Sequence, residues 1–226
     1  MMMQTTKQFL TEALRRMVAL GLVLGGGLWL AGVAAHGQTA GVGIVGVLGE
    51  VTASFADQGS MPIRGDMNLP AGATVKTGPR SAADLDLGSV AGVIRLTENT
   101  TLKLEKVAHT EPGAEPSFSL ELCLLEGTLL GNSRKVPATA HFEVKVSNGI
   151  VGIDQGQYRI SSQGIVVLLE GTLAFAHVHK PGDAPETHLL KAPPAVYFSP
   201  VERIRPAPPV LVKEVLSQTK SKLPKK

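Results

Sequence analysis

Aromatic side chains are scarce in this sequence, since phenylalanine, tryptophan and tyrosine together make up 4% of its 226 residues. Any hydrophobic core must therefore consist mostly of aliphatic side chains, of which valine and leucine are common. The sequence also has a single cysteine, Cys123, which excludes an internal disulfide. Because its neighbours are apolar, we expect Cys123 to be a small, buried hydrophobic side chain.

Several motifs of enzymes and nucleotide-binding proteins are absent. The sequence has no Gly-x-Ser-x-Gly nucleophile motif and no glycine-rich phosphate loop ending in Lys-Ser or Lys-Thr. Aromatic residues do not alternate with basic ones, so we do not expect nucleic-acid binding. The body of the chain shows no convincing 3.6-residue apolar period, which predicts short helices or none there.

What the sequence does contain is the two-residue alternation of β-strands. Phe142, Val144 and Val146 alternate with charged residues, which places the apolar side chains on one face. The dipeptide Asn148-Gly149 follows, and it is typical of a tight turn. Burying one aliphatic side chain contributes about 1.5–3 kcal/mol, so several such strands would hold a compact β domain together.

A hexapeptide occurs twice, as Leu124–Leu129 and as Leu168–Leu173, 44 residues apart. Its repetition around a glycine indicates a structural role for Glu126 and Glu170 rather than an acid/base pair. We expect structural glycine turns with positive φ at three positions, namely Gly127, Gly149 and Gly171.

These patterns predict an all-β fold with one domain over residues 41–180. Antiparallel hairpins would form either a single β-sandwich or a short β-solenoid, and the repeat favours two similar β layers. Asp84 and Asp86 alternate with leucines, so we expect them to be solvent-facing strand residues rather than a catalytic carboxylate pair.

Residues 1–35 resemble an export signal. Lys7, Arg15 and Arg16 precede an apolar run over residues 17–35, and small residues at 33–35 suit cleavage by a signal peptidase. The alternative is an uncleaved membrane anchor, because the apolar run is just long enough to span a bilayer. Either way, the sequence predicts export to the periplasm or cell envelope, with membrane contact through this segment.

The C-terminal part differs in composition. Residues 36–190 contain 11 Lys+Arg and 16 Asp+Glu, whereas residues 191–226 contain 8 and 2, so the body is acidic and the tail is basic. Prolines predict an extended linker over residues 181–209, within which Val196–Phe198 could add an edge strand. We expect residues 210–226 to be a solvated basic tail with a possible short helix. The alternative is a weak contact with anionic lipid or another acidic partner.

Two histidines are the candidate metal ligands. His177 and His179 lie two residues apart, a spacing that can chelate a metal on one strand face. A site of this kind would need a glutamate and a third histidine nearby, and His141 or His188 could supply the latter. We expect instead that both are exposed histidines at a strand end, and we predict no cofactor or metal.

Several segments, taken in order, match the motifs of one known family of β domains. They are Val47–Val51 for the first strand; Leu69–Gly78 for "G-x-x-I-x-T-G"; Ser81–Leu87 for "S-x-A-x-L-x-L"; Ile94–Leu102 for "hydrophobic-x-L-x-x-N-T/S-x-L"; Leu125–Leu129 and Leu169–Leu173 for two "L-x-G-x-L" strands; and Phe142–Val144 with Ser147–Ile153 for "F-x-V-x-T-P-x-G-x-x-x-V". Taken together, residues 46–178 resemble the FecR domain, a periplasmic β domain named for the bacterial iron-citrate signalling protein.

The sequence departs from the family at two turns. Ser147-Asn148 replaces the usual Thr-Pro, and residues 154–157 replace the usual Gly-Thr, so the resemblance implies no shared ligand contact there. Signalling members also carry an N-terminal cytoplasmic part that holds a sigma factor, for which this sequence offers only a short basic region. The resemblance therefore implies a stand-alone exported FecR-like domain.

The favoured hypothesis is a non-enzymatic exported domain that binds an envelope protein or cell-wall component, for example in cell-envelope sensing or signalling. One alternative is a metal-dependent, cupin-like β-barrel enzyme that uses His177 and His179. The other is a purely structural envelope protein.

Overall fold

The computed structural model describes residues 41–55, 59–109, 118–180 and 182–220. The predicted signal or anchor segment over residues 1–35 lies outside the described residues, as does the end of the basic tail. Nowhere in the described ranges does a helix combine the length and the apolar character needed to cross a membrane.

Strands dominate the described chain. They are β1 (Val42–Leu48), β2 (Val51–Ser54), β3 (Ser60–Pro62), β4 (Asn68–Leu69), β5 (Thr74–Thr77), β6 (Ala82–Asp86), β7 (Val93–Leu96), β8 (Thr101–His109), β9 (Phe118–Glu126), β10 (Thr128–Ser133), β11 (His141–Val146), β12 (Gly149–Ser161), β13 (Val166–His177), β14 (Glu186–Ala192), β15 (Val196–Ser199) and β16 (Arg203–Pro206). The helices are α1 (Gly88–Ala91) and α2 (Pro209–Lys220). The all-β prediction is confirmed.

The strands form two layers that are continuous through β12 and β13. The sheet runs in the order β3-β2-β5-β8-β9-β11-β12-β10-β7-β6-β1-β4. The start of β12 pairs with β11 and its end pairs with β10, so β12 passes from the first layer to the second. β13 pairs with β12 along its length. On its other edge, the C-terminal part of β13 pairs with β14 and the N-terminal part pairs with β15, which in turn pairs with β16.

One hydrophobic core lies between the layers. Alternating side chains such as Leu104 and Leu122 of the first layer and Leu85 and Ile94 of the second belong to the same buried cluster. The period-two patterns of the sequence therefore describe the inward faces of both layers correctly.

The chain crosses between the layers at a corner built around buried threonines. Thr77 Oγ1 donates to the carbonyl oxygen of Thr97 at 2.6 Å and accepts the N–H of Thr100 at 2.9 Å. Thr100 Oγ1 in turn accepts the N–H of Thr128 at 3.1 Å. Gly127 fits beside this network with φ of 80°, and a Cβ there would lie 2.6 Å from the carbonyl oxygen of Asn99. The hydroxyls thus satisfy backbone groups that the crossing strands cannot pair.

One pairing departs from the predicted antiparallel arrangement. β11 runs parallel to β9, with Val144 opposite Leu122. The reason is the intervening strand: after β9 the chain enters the second layer as β10, and it then returns to begin β11 beside β9 in the same direction. A parallel pair requires such a crossover rather than a tight hairpin.

The predicted linker over residues 181–209 is wrong for residues 186–192 and 203–206, which form β14 and β16, whereas β15 confirms the edge strand expected at Val196–Phe198. Its prolines occupy positions that strands and helices tolerate. Pro193 and Pro194 separate β14 from β15, Pro206 ends the edge strand β16, and Pro209 begins α2. Proline content alone therefore gave a misleading signal.

The helix α2 packs on the outer face of the second layer instead of extending into solvent. Val215 is fully buried there in a cluster with Leu130 and Val167. Arg95 donates to the carbonyl oxygen of Gln218 at 3.0 Å, which places a positive charge at the C-terminal end of the helix. The predicted short helix is present, but residues 209–220 are docked rather than solvated.

Candidate functional site

The two histidines singled out in the sequence lie at the end of β13. His177 is the last residue of β13 and is only 2% exposed. His179 follows two residues later, and its side chain is 38% exposed. The prediction of two exposed histidines is therefore wrong for His177, because neighbouring strands cover its ring.

Neighbouring strands bring further side chains to His177. In the register of β13 with β14, His177 lies opposite Glu186, so alternate residues of β14 share its face. The ring centroid of His177 is 4.5 Å from that of His179 and 6.4 Å from that of His188. Phe198 of β15 packs from the second layer, 5.9 Å from His177 and 5.0 Å from His188.

One carboxylate, that of Glu186, contacts the basic side chains of this group. Glu186 accepts a hydrogen bond from Arg203 of β16 at 2.6 Å and lies 3.0 Å from His179 Nε2. These two bonds, with His179 contributing most, lower the pKa of Glu186 to about 2. We call His177, His179, Glu186, His188 and Arg203 the histidine cluster.

His177 is the buried member of the cluster. Burial lowers the pKa of His177 below its ordinary value, and His179, His188 and Arg203 lower it further while Glu186 opposes them. The Nδ1 atom of His177 and the Nε2 atom of His188 are both buried and have no hydrogen-bond partner among the described residues. Such atoms are rare in folded proteins, so two in one cluster mark it as a candidate functional site.

A metal ion is the first ligand to test against these residues, since imidazole and carboxylate groups both bind zinc. Glu186 is already engaged by Arg203, whose permanent positive charge competes with a cation. Over the described ranges, no group of three or more His, Cys, Asp and Glu residues is arranged to hold a metal ion. Of the two proposed third ligands, His188 joins the cluster, whereas His141 lies on β11, 2.8 Å from Glu143. The metal-enzyme hypothesis thus gains no support from the described chain.

The other polar groups considered in the sequence make structural contacts. Asp84 forms a two-point ion pair with Arg95 at 2.7 and 2.8 Å, with both side chains 14% exposed, so the prediction of a solvent-facing Asp84 is wrong. Asp86 accepts the backbone N–H of Gly88 at 2.9 Å. Cys123 is half-buried rather than fully buried, and burial raises the pKa of its thiol.

The three glycines named as structural turns occupy different places. Gly127 alone connects β9 to β10. Gly149 is the first residue of β12, and the turn itself falls on residues 147–148. Gly171 lies inside β13 rather than between two strands, opposite Gly156, and the two have φ of 100° and 125°.

A groove of about 380 Å³ lies on the outer side of the first layer. It is lined by Gly152 of β12, Ala174 of β13 and Leu189 of β14, which lie opposite one another across these strands, and by residues 136–138 and 140. Leu189 is 56% exposed. Among the described strands, β14 pairs only with β13, so its other backbone edge has no strand partner there.

Sequence reasoning missed Glu186, Phe198 and Arg203. A partial signal existed, because Glu186 and His188 have the same two-residue spacing as His177 and His179. This spacing could not link the two pairs until residues 186–192 were known to form a strand beside β13. The prolines on either side of these residues favoured a linker instead.

The fold and the cluster define a two-layer β domain with ionisable side chains gathered at the end of β13. No family model matches the chain, and no curated protein matches it. Two crystal structures of a protein named as a candidate anti-sigma factor from Parabacteroides distasonis are similar to it, at 13% and 14% identity. Each likeness covers 63% of this chain, and 64% and 63% of the respective neighbour, with a TM-score of 0.45. At these values neither likeness assigns a function to this chain.

Proposed function

We propose that this chain is an exported, FecR-like β domain that acts by binding a protein or another cell-envelope component rather than by catalysis. The order of the FecR-like segments and the all-β fold support this proposal. The observation that carries it is the accessible edge of β14 beside the groove.

The edge of β14 is suited to an extended segment of a partner. An edge strand presents a row of backbone N–H and C=O groups, and an added strand can satisfy them. β14 is seven residues long, enough for a stable pairing. Lys191 is exposed on this strand, and a charged edge residue discourages unselective pairing between copies.

The groove supplies a place for partner side chains. Alternate residues of an added strand face the same side of the sheet as Leu189. An apolar side chain at such a position would contact Leu189 and enter the space above Ala174 and Gly152. The proposed partner therefore offers an extended segment with apolar residues at alternate positions.

The test captures crosslinked partners from the envelope fraction of cells that produce the full chain. We expect fractionation to place the chain in the envelope and capture to recover one defined component. Leu189→Lys should reduce that recovery at least about tenfold, the effect of losing roughly 1.4 kcal/mol of binding free energy. The matched control is Val201→Lys, since Val201 is also apolar and is 88% exposed, but lies between β15 and β16.

Equal recovery by the wild type and Leu189→Lys would show that β14 is not the binding edge. Failure of the wild type to recover any envelope component would instead support the purely structural alternative. Location of the chain in the cytoplasm would remove the exported role altogether.

A further inference from the structure

The histidine cluster lies where β14 of the first layer meets the β15–β16 pair of the second. Side chains of both layers, rather than a shared backbone ladder, make this contact. We propose that the cluster is a proton-sensitive joint: when its histidines take up protons, β14 and the β15–β16 pair separate while the rest of the domain stays folded. This proposal is independent of the proposed function.

The charges that face His177 come from several elements. His179 lies just beyond β13, Glu186 and His188 come from β14, and Arg203 comes from β16. β13 itself and β15 contribute phenylalanine rings, which carry no charge. Three titratable imidazoles and one guanidinium therefore share one carboxylate.

That carboxylate is already engaged when the histidines are neutral. Glu186 bonds Arg203 at 2.6 Å and His179 at 3.0 Å. His188 Nε2 is 3.8 Å from the nearer carboxylate oxygen, beyond hydrogen-bond distance, and His177 Nδ1 has no hydrogen-bond partner within the described part of the chain. A proton added to the buried ring of His177 would create an unpaired charge in a pocket of aromatic rings, which is strongly unfavourable. Separation of the strands exposes the rings to water and removes that cost.

The direction of the pH dependence follows from the geometry and the lowered pKa of His177. The closed joint binds a proton less readily than the open one, whose imidazole titrates near its ordinary value of 6.5. The closed state is therefore favoured above that pH and loses stability as the pH falls below it. Uptake of one proton on opening raises the open population by at most about tenfold per pH unit, a limit that is approached only well below pH 6.5. Glu186 acts in a separate, lower window, since its contribution is lost only between its ordinary pKa of 4.5 and about 2.

The experiment is hydrogen–deuterium exchange on the full chain at pH 7.5, 6.5 and 5.5 in EDTA, corrected for the intrinsic pH dependence of exchange. We expect the opening constant of residues 186–206 to rise up to about fivefold from pH 6.5 to pH 5.5, because the open imidazole is already half-protonated at its ordinary pKa of 6.5, while β8 and β9 keep their protection. His177→Phe should remove this response because phenylalanine cannot be protonated. His141→Phe is the matched control, since His141 is an exposed histidine on β11, paired with Glu143 away from the cluster, and it should leave the response intact.

Equal protection of residues 186–206 at all three pH values in the wild type would overturn the proposal. An undiminished response in His177→Phe would overturn it as well. If that variant does not fold, the NMR titration of the His177 ring in the wild type decides, and a pKa at or above 6.5 contradicts the joint. A pH response that appears only when zinc replaces EDTA would identify a metal site instead and would also refute the proposal.

Discussion

Replacing Gly171 with valine should strongly destabilise the sheet, and the structure shows why. Gly171 has φ of 100° inside β13, and a Cβ there would press against the carbonyl oxygen of Gln155 and lie 2.6 Å from the Cα of Gly156. Holding a side-chain-bearing residue in such a conformation costs about 1–3 kcal/mol. Because the clashing atoms are backbone, β12 must also shift, which costs roughly a further 1 kcal/mol. We expect Gly171→Val to lower the free energy of unfolding by about 3 kcal/mol.

Urea unfolding and thermal melting of the full chain measure this loss. A loss of about 3 kcal/mol corresponds to a fall of about 6–12 °C in Tm for a chain of this size. Gly152→Val is the matched control on the same pair of strands, because a Cβ at position 152 meets only the carbonyl oxygen of Ala174, at 3.7 Å. The control should change the free energy of unfolding by less than about 1 kcal/mol. Equal unfolding midpoints for Gly171→Val and the wild type would refute the reasoning.

Four other substitutions test separate contacts. Thr100→Val removes the hydroxyl that accepts the N–H of Thr128, so urea unfolding should show a loss of about 1–3 kcal/mol. Val215→Asp should release α2 without unfolding the sheet, detected as proteolysis confined to residues 209–220, because Val215 is the one fully buried side chain among those described in α2; resistance to the protease would contradict this. Lys145→Met should cost less than about 1 kcal/mol although Lys145 bonds two glutamates, because the pairs are partly exposed. Glu186→Gln should remove the loss of stability that melting at stepwise lower pH detects between pH 4.5 and about 2; an unchanged acid profile would assign that loss to other carboxylates.

The sequence predicted the faces of the strands better than their partners. Phe142 and Val144 are buried as the period-two pattern of β11 requires. The pattern does not say which strand lies alongside, however, and the parallel pairing of β11 with β9 depends on the passage of β10 through the other layer. Alternation records burial on one face, whereas pairing is decided by the path of the whole chain.

The candidate site was predictable only in part for the same reason. The spacing of His177 and His179 drew attention to the end of β13, but burial of His177 requires a neighbouring strand and an opposite layer. Both come from residues 186–206, where prolines at strand ends imitate the composition of a linker. Arg203 and Phe198 carry no local pattern that would have linked them to the histidines.

The residues that resemble the FecR domain turn out to specify the corner between the layers. Three separate motif segments meet where the chain crosses between the layers, and they contribute Thr77–Gly78, Asn99–Thr100 and Gly127–Thr128. Hydrogen bonds join the first segment to the second and the second to the third. Their spacing therefore brings these residues together where the two layers connect. β14 and Arg203 lie beyond the resembling span of residues 46–178. Any specificity at the edge of β14 would then depend on residues outside that span, and the proposed proton response would depend on them in part, since His177 lies inside it.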